Sequence, residues 1–292
     1  LTTSTSGATI CYRNDGTNAD CDNTTGTCFA GSTTYVGSIS VPATITLNAM
    51  ACKATMNNSV IATAVYSIDS TAPVISAIAP TAGSFVTNTQ VSYTLSETCG
   101  TGSITWTRTS GTADPGSPRV QALVGAELTA GTHTAVTLTN NPALVNGTVY
   151  DITFNCTDAA GNAATPVTST NVTFDNVAPV ISGVAPTTGS FRVNTQVSYT
   201  LSEDCQTGSI TWTRTGGAAD GASPHVQTLA GLELTQGTKT NLTLGNNPAL
   251  VSGAIYTIDF ACQDFAGQNA TTITSTGVTF DNVAPIISGV SP

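Results

Sequence analysis

Apolar and polar positions along this chain alternate one by one, in short runs. Val91, Tyr93 and Leu95 alternate with Ser92 and Thr94, and Tyr150, Ile152 and Phe154 alternate with Asp151 and Thr153. A period of two sends successive side chains to opposite faces of an extended backbone, so each run predicts a strand with one face in a core and one in water. Pro80-Thr-Ala-Gly83, Asn140-Asn-Pro142 and Ala159-Ala-Gly-Asn162 punctuate the runs with turn formers. Helical periodicity is absent. About seven short strands in each stretch of roughly a hundred residues predict an all-β chain of antiparallel sandwiches.

The pattern is written twice. Residues 70–175 align without a gap to 176–281, with 71 identical positions. The joints recur in phase as Asp69-Ser-Thr-Ala-Pro73, Asp175-Asn-Val-Ala-Pro179 and Asp281-Asn-Val-Ala-Pro285. The chain therefore divides into a smaller unit, 1–69, two copies of one domain, 70–175 and 176–281, and a segment, 282–292, that repeats only the opening strand of a further domain. Between the copies Asp151/Thr153 becomes Thr257/Asp259, which moves an acid by two residues and keeps it on the same, solvated face.

Eight cysteines, without metal-type spacing, predict disulfides and an oxidising compartment. Cys99 continues the parity of Val91, Tyr93 and Leu95, and Cys156 that of Tyr150, Ile152 and Phe154, so both are expected in the core and paired; Cys205 then pairs with Cys262. Trp106, seven residues after Cys99, is expected to pack near the bridge, a Cys, Trp, Cys arrangement of immunoglobulin type. With the Asp-Asn-Val-Ala-Pro joints, Gly-Ser-Phe openings and Asp158-Ala-Ala-Gly-Asn162, residues 70–292 resemble the bacterial immunoglobulin-like repeats of large secreted surface proteins and adhesins. The resemblance implies tandem immunoglobulin-like sandwiches without catalysis.

Gly7-Ala-Thr-Ile-Cys-Tyr-Arg-Asn-Asp-Gly16, Ile39 to Leu47 and Val60 to Ile68 make residues 1–69 similar to the small sandwich domain at the C-terminus of chitobiases and β-hexosaminidases. That family's domain is an accessory module, so no catalytic residue carries over. Four cysteines allow three pairings; Cys11 with Cys52 and Cys21 with Cys28 are expected. Against that family, the first strand is expected to be missing. The tail around Pro285, Ile286, Ile287 and Val290 is a matching unpaired strand, which leads to the expectation that it completes the N-terminal unit of the next molecule as a donor strand. An excerpt from a longer repeat protein is the alternative.

Composition narrows the partners. Charged residues are only 8% of the chain, the net charge is -10, and lysine occurs only at Lys53 and Lys239, while 82 positions are Thr or Ser. Nucleic-acid grooves and anionic membrane surfaces need clustered basic residues, so neither partner is expected, nor membrane insertion. An extracellular or cell-surface location fits the cysteines. Catalytic signatures are missing: His133 aligns with Lys239 and His225 with Arg119, so both histidines read as surface residues, and Glu203-Asp204 becomes Glu97-Thr98. Seven Asn-x-Ser/Thr sequons are close to what chance delivers in so Asn- and Thr-rich a chain, and glycosylation stays possible.

Acids at the joints are the best constellation. The joint of an immunoglobulin sandwich lies at the end that also carries the loops after its second and sixth strands, which brings Asp69 to Glu97 and Asp158, and Asp175 to Glu203 and Asp264. Three carboxylates with carbonyls suit calcium, and the resemblance to adhesin repeats supports that ion. The alternative is Asx turns at Asp158 and Asp264 that merely meet water. The expected function is structural: a subunit or segment of a surface filament, sheath or stalk whose main partner is another copy of itself. The second reading is the rod of an adhesin that binds a glycan or cell surface.

Overall fold

The computed structural model describes residues 1–289. Val290, expected to take part in assembly, lies outside the described residues. Among them no helix is long and apolar enough to cross a membrane.

Residues 1–69 build one four-stranded sheet. Its strands are β1 (Thr9–Arg13), β4 (Thr33–Thr34), β5 (Ile45–Cys52) and β6 (Ala62–Tyr66), in the order β4-β1-β5-β6, all antiparallel; β2 (Cys21–Asp22) and β3 (Thr27–Cys28) form a separate small hairpin. The pairs Ile10↔Ala51, Tyr12↔Ala49 and Leu47↔Ala64 put apolar side chains on one face. On that face Leu47 and Ala49 are buried and Ile10, Tyr12 and Ala51 half-buried, whereas every residue of β6 is exposed.

Cys11 and Cys52 occupy the opposite face, and here the expected connectivity is corrected: the bonds are Cys11–Cys28 and Cys21–Cys52. In the β1/β5 register Cys52 stands opposite Thr9, and Cys11 opposite Met50, so the two cysteines are diagonal neighbours two positions apart. Diagonal side chains rise side by side, roughly 7–8 Å apart, which is too far for a bridge whose Cβ atoms need about 4 Å. The hairpin instead lies over the face, with Cys21 and Cys28 paired across it, and each reaches down to one strand.

Each repeat is a two-layer sandwich. In the first, β7 (Ile75–Ala79), β8 (Phe85–Val86), β9 (Val91–Leu95), β10 (Thr101–Gly111), β11 (Arg119–Ala122), β12 (Gly131–Val136), β13 (Thr148–Thr157) and β14 (Val167–Phe174) form sheets β11-β10-β13-β14-β8 and β12-β9-β7. The second repeats this with β15 (Ile181–Ala185), β16 (Phe191–Arg192), β17 (Val197–Leu201), β18 (Thr207–Gly217), β19 (His225–Thr228), β20 (Gly237–Leu242), β21 (Ala254–Gln263) and β22 (Ile273–Phe280). Burial along β13 alternates without a break, and Tyr150, Ile152, Phe154 and Cys156 point inward as their spacing predicts.

Polar tips of the buried rings find partners. Trp106 Nε1 donates to Gln121 Oε1 at 2.8 Å, and the Tyr93 hydroxyl donates to the Glu127 carbonyl at 2.7 Å. The Cys99–Cys156 and Cys205–Cys262 bridges are present. Strand β9 ends at Leu95, however, so Cys99 sits in the following loop, where its N–H donates to the Leu128 carbonyl. Gly102 stands opposite Cys156 and Trp106 opposite Ile152, which sets the indole two inward positions away from the bridge, against the edge of Tyr150.

Candidate functional site

The two joints bring together the acids that the spacing assigned to them. Asp69, Glu97 and Asp158 each offer a carboxylate oxygen within 4.8 Å of the others, and so do Asp175, Glu203 and Asp264. Each cluster draws on three separate loops of the fold: the joint peptide, the loop after β9 or β17, and the loop after β13 or β21.

The last loop is the clamp. Asn162 N–H donates to Asp158 Oδ1 at 2.8 Å, and its side-chain amide donates to Asp158 Oδ2 at 2.8 Å and to the Asp69 carbonyl at 3.1 Å. Gln268 does the same to Asp264 and to the Asp175 carbonyl, the latter again at 3.1 Å. One loop therefore holds its own acid in an Asx-type turn and ties down the backbone of the preceding joint. The joint acid is anchored from the other side as well, since Asp175 N–H donates to the Val86 carbonyl at the end of β8.

Crowding shows in the proton affinities. Burial first, then Asp175, Asp264 and Asp204, push the Glu203 carboxyl up to about 7. Glu97 moves in the same direction through burial, Asp69 and Asp158, and Asp175 is raised mainly by burial. Asp158 goes the other way because the Asn162 amide stabilises its charge. Such a site either keeps a proton on the central glutamate or gathers its oxygens around a hard cation. Carboxylate-only donors of this kind suit calcium or magnesium rather than a softer metal. The first cluster is the more open, because Asp69 is exposed where Asp175 is buried.

Two contacts escape a pattern reading. Phe265, on the clamp loop of the second repeat, stacks on Phe85 of the first, with ring centroids 5.3 Å apart and planes 27° from parallel. The Ala159→Phe265 difference between otherwise similar loops is the signal that was available. Both histidines are partly buried at the surface and engaged with neighbours. His133 is half-buried and stacked on Tyr93, and His225 Nε2 meets Asp220 Oδ2 at 2.7 Å with only 12% of its side chain exposed. The aligned Arg119 grips Asp114 with both forks of its guanidinium, and the Tyr150 and Tyr256 hydroxyls donate to the same acids. Arg119 and His225 both place ring or guanidinium nitrogens against the equivalent acid, which makes the exchange of Arg for His compatible with one site. Pro285, Ile286 and Ile287 are exposed, and the opening strand expected there pairs with no other strand. In the repeats that segment pairs with the third strand of its own domain, as β7 does with β9.

Disulfide-stapled two-layer sandwiches of this strand order, set in tandem, define an immunoglobulin-like class of protein. The family described as bacterial Ig-like domain matches residues 69–174 and again 175–281, and the chain belongs to that family. No curated protein matches it. Among solved structures it is similar to the FN1-FN3 domains of chicken CNTN1 (12% identity, TM-score 0.30, covering 93% of this chain and 91% of that one). It is also similar to the fibronectin(III)-like modules of Clostridium thermocellum CbhA (12%, 0.30, covering 74% and 100%). Drosophila N-cadherin EC1-3 aligns at 12% identity and TM-score 0.23, covering 96% and 91%. Scores this low carry no functional conclusion.

Proposed function

We propose that the chain is an extracellular structural module, a stiffened rod that serves as subunit or segment of a surface filament, sheath or stalk. The observation that carries this reading is the repetition of one joint: the same acids, the same clamping amide and the same carbonyl acceptor at both domain boundaries. A joint built twice in the same way favours a fixed relation between successive units. Family membership and four disulfides support a surface or secreted location. Folds of this type are typically non-catalytic, and the joint clusters are read as mechanical.

In the finer form of the proposal, Asp69, Glu97 and Asp158, and Asp175, Glu203 and Asp264, hold calcium, which would replace the proton on the glutamate and fasten three loops at once. Subunits join head to tail, with residues 284–292 completing the N-terminal unit of the next copy. Calorimetry with calcium, and melting with and without chelator, test the first point; no heat and no shift remove the ion. Electron microscopy and sedimentation of a chain lacking 284–292 test the second, since polymers that persist would sink the donor strand. The exposed strand β6 of the N-terminal sheet, with Val65 and Tyr66 in water, favours a second reading, an adhesin rod that binds a glycan or partner surface, and a glycan array without hits discards its carbohydrate form.

A further inference from the structure

The cysteines of residues 1–69 differ in kind from those of the repeats. Cys99–Cys156 and Cys205–Cys262 are each the only sulfurs in their core clusters. In the N-terminal unit four sulfurs share one layer: Cys11, Cys21 and Cys52 lie within 4.8 Å of one another, and Cys28 packs on them. Cys11 Sγ stands 3.0 Å from Cys21 Sγ although the two belong to different bridges. Cys52 Sγ is 3.8 Å from the Thr27 carbonyl, beside Cys28 on β3.

This layer sorts the three pairings that four cysteines allow. The observed one is Cys11–Cys28 with Cys21–Cys52. Cys11–Cys52 fails on the diagonal offset between β1 and β5, which removes the pairing that would also join Cys21 to Cys28. Cys11–Cys21 with Cys28–Cys52 is left, and it asks only that neighbouring sulfurs turn towards each other. It closes somewhat shorter loops than the observed separations of 17 and 31 residues, and closure entropy varies slowly with length, so the two pairings stand close in free energy.

Access to these sulfurs is uneven. Cys11, Cys21 and Cys52 are at most 2% exposed and the repeat cysteines at most 5%, while Cys28 alone is not fully buried. It sits on the hairpin that covers the other three, and the Thr34 hydroxyl donates to its sulfur at 3.3 Å. A thiolate from solution meets Cys28 first, and the sulfur it displaces is a new nucleophile beside the second bridge.

We infer that the N-terminal unit is a thiol–disulfide exchange site for low-molecular-weight thiols, a relay entered at Cys28. The thiolate attacks Cys28 Sγ and breaks Cys11–Cys28, which leaves a mixed disulfide on Cys28 and a thiolate on Cys11. Cys11 attacks Cys21 and breaks Cys21–Cys52, forming Cys11–Cys21 and releasing the Cys52 thiolate. Cys52 then attacks Cys28, forms Cys28–Cys52 and expels the thiol. Two disulfides and one thiolate enter and leave, so neither oxidant nor reductant is consumed. The hairpin ends tied to β1 through β2 and to β5 through β3, the reverse of the starting arrangement. The repeat bridges, with no sulfur neighbour, take no part.

Peptide mapping of the full chain tests the relay. The chain is held in native buffer at mildly alkaline pH with a substoichiometric amount of free cysteine and then quenched in acid. Chymotrypsin with an aspartate-directed protease separates the four residues, and mass spectrometry without reduction reads their pairings. Cys11–Cys21 and Cys28–Cys52 are expected to appear together, within about tenfold of the starting pair because the closed loops are similar in length. Cys99–Cys156 and Cys205–Cys262 should stay intact. A chain that keeps only its starting pairing overturns the relay, and so does the appearance of Cys11–Cys52, which only an unfolded unit samples. Cys28→Ser, without added thiol, gives a second reading: its remaining bridge should be shared between Cys21–Cys52 and Cys11–Cys21, and Cys21–Cys52 alone would overturn the step from Cys11 to Cys21.

Discussion

The two repeats share most of their core side chains and differ at 35 of 106 aligned positions, which makes each a control for the other. Trp106 and Trp212, Tyr150 and Tyr256, and the two bridges occupy equivalent, buried places. Among the differences are Arg119 against His225, Ala159 against Phe265, and the exposure of Asp69 against Asp175. The interior is thus held constant while the partner of one buried acid and the surface of the joint vary. Stability of the sandwich and contact between sandwiches are therefore separable properties of this chain.

The bridges give the largest effect and ought not to distinguish the copies. Both close a separation of 57 residues, which on the chain-entropy account contributes about 4 kcal/mol. Replacing Cys99 and Cys156 by Ala, or Cys205 and Cys262, is expected to lower the urea stability of the affected repeat by about that amount. Unequal losses would show that the loop after β9 or β17 adds local rigidity of its own.

The acid pairs should separate the copies. Asp114 and Asp220 are both held near 2, the first chiefly by the Arg119 guanidinium and the second by the His225 hydrogen bond, each aided by a tyrosine hydroxyl. A carboxylate lowered on folding stabilises above its unfolded value near 4, and that contribution disappears as pH falls from about 4 towards 2. Both repeats should therefore lose melting temperature in that window. Arg119 puts two donors on Asp114 where His225 puts one on Asp220. His225→Arg is then expected to raise the melting temperature of repeat 2. No gain would mean that the single contact from His225 holds its acid as well as the two from Arg119.

The joint glutamates carry the opposite sign. Glu203 is raised to about 7, so its ionisation costs stability as pH rises from the ordinary value near 4.3 through 7, and the full cost is present above 7. Without divalent cations, Glu203→Gln should raise the melting temperature at pH 8 and leave it unchanged at pH 4. Glu97→Gln in the more open cluster should do the same more weakly. Added calcium is expected to stabilise the wild type more than Glu203→Gln; equal responses would count against a cation at this joint.

How much of this was legible depends on the range of the interaction. Strand parity identified the inward set on β13, because it follows from spacing along one segment, whereas the acids lie on three loops far apart in sequence and were brought together by the end of an immunoglobulin sandwich that its joint and those loops share. The N-terminal bridges were misread because Cys11 and Cys52 do lie on neighbouring strands; only their diagonal offset and the hairpin laid over them decide the pairing. His225 looked like a surface residue because its acid partner, Asp220, is held under it by Tyr256, 36 residues away. The Phe85–Phe265 stack spans two domains, and no local pattern encodes it.

That stack is also the smallest effect worth measuring, and it tests whether the joints are truly alike. An offset pair of rings is worth about 1 kcal/mol beyond the area it buries. In a double-mutant cycle of Phe85→Ala and Phe265→Ala, read from the unfolding of the full chain, a coupling of about that size is expected. Ala159→Phe in the first repeat should give no matching gain, because residues 1–69 have no β8 to carry the ring on which it would stack. If the cycle shows no coupling, the rings touch without fixing the joint, and the acids with their clamping amides alone must set the angle between domains. If Ala159→Phe does stabilise, the N-terminal unit already offers the apolar seat that the repeat boundary has, and the two joints differ in degree only.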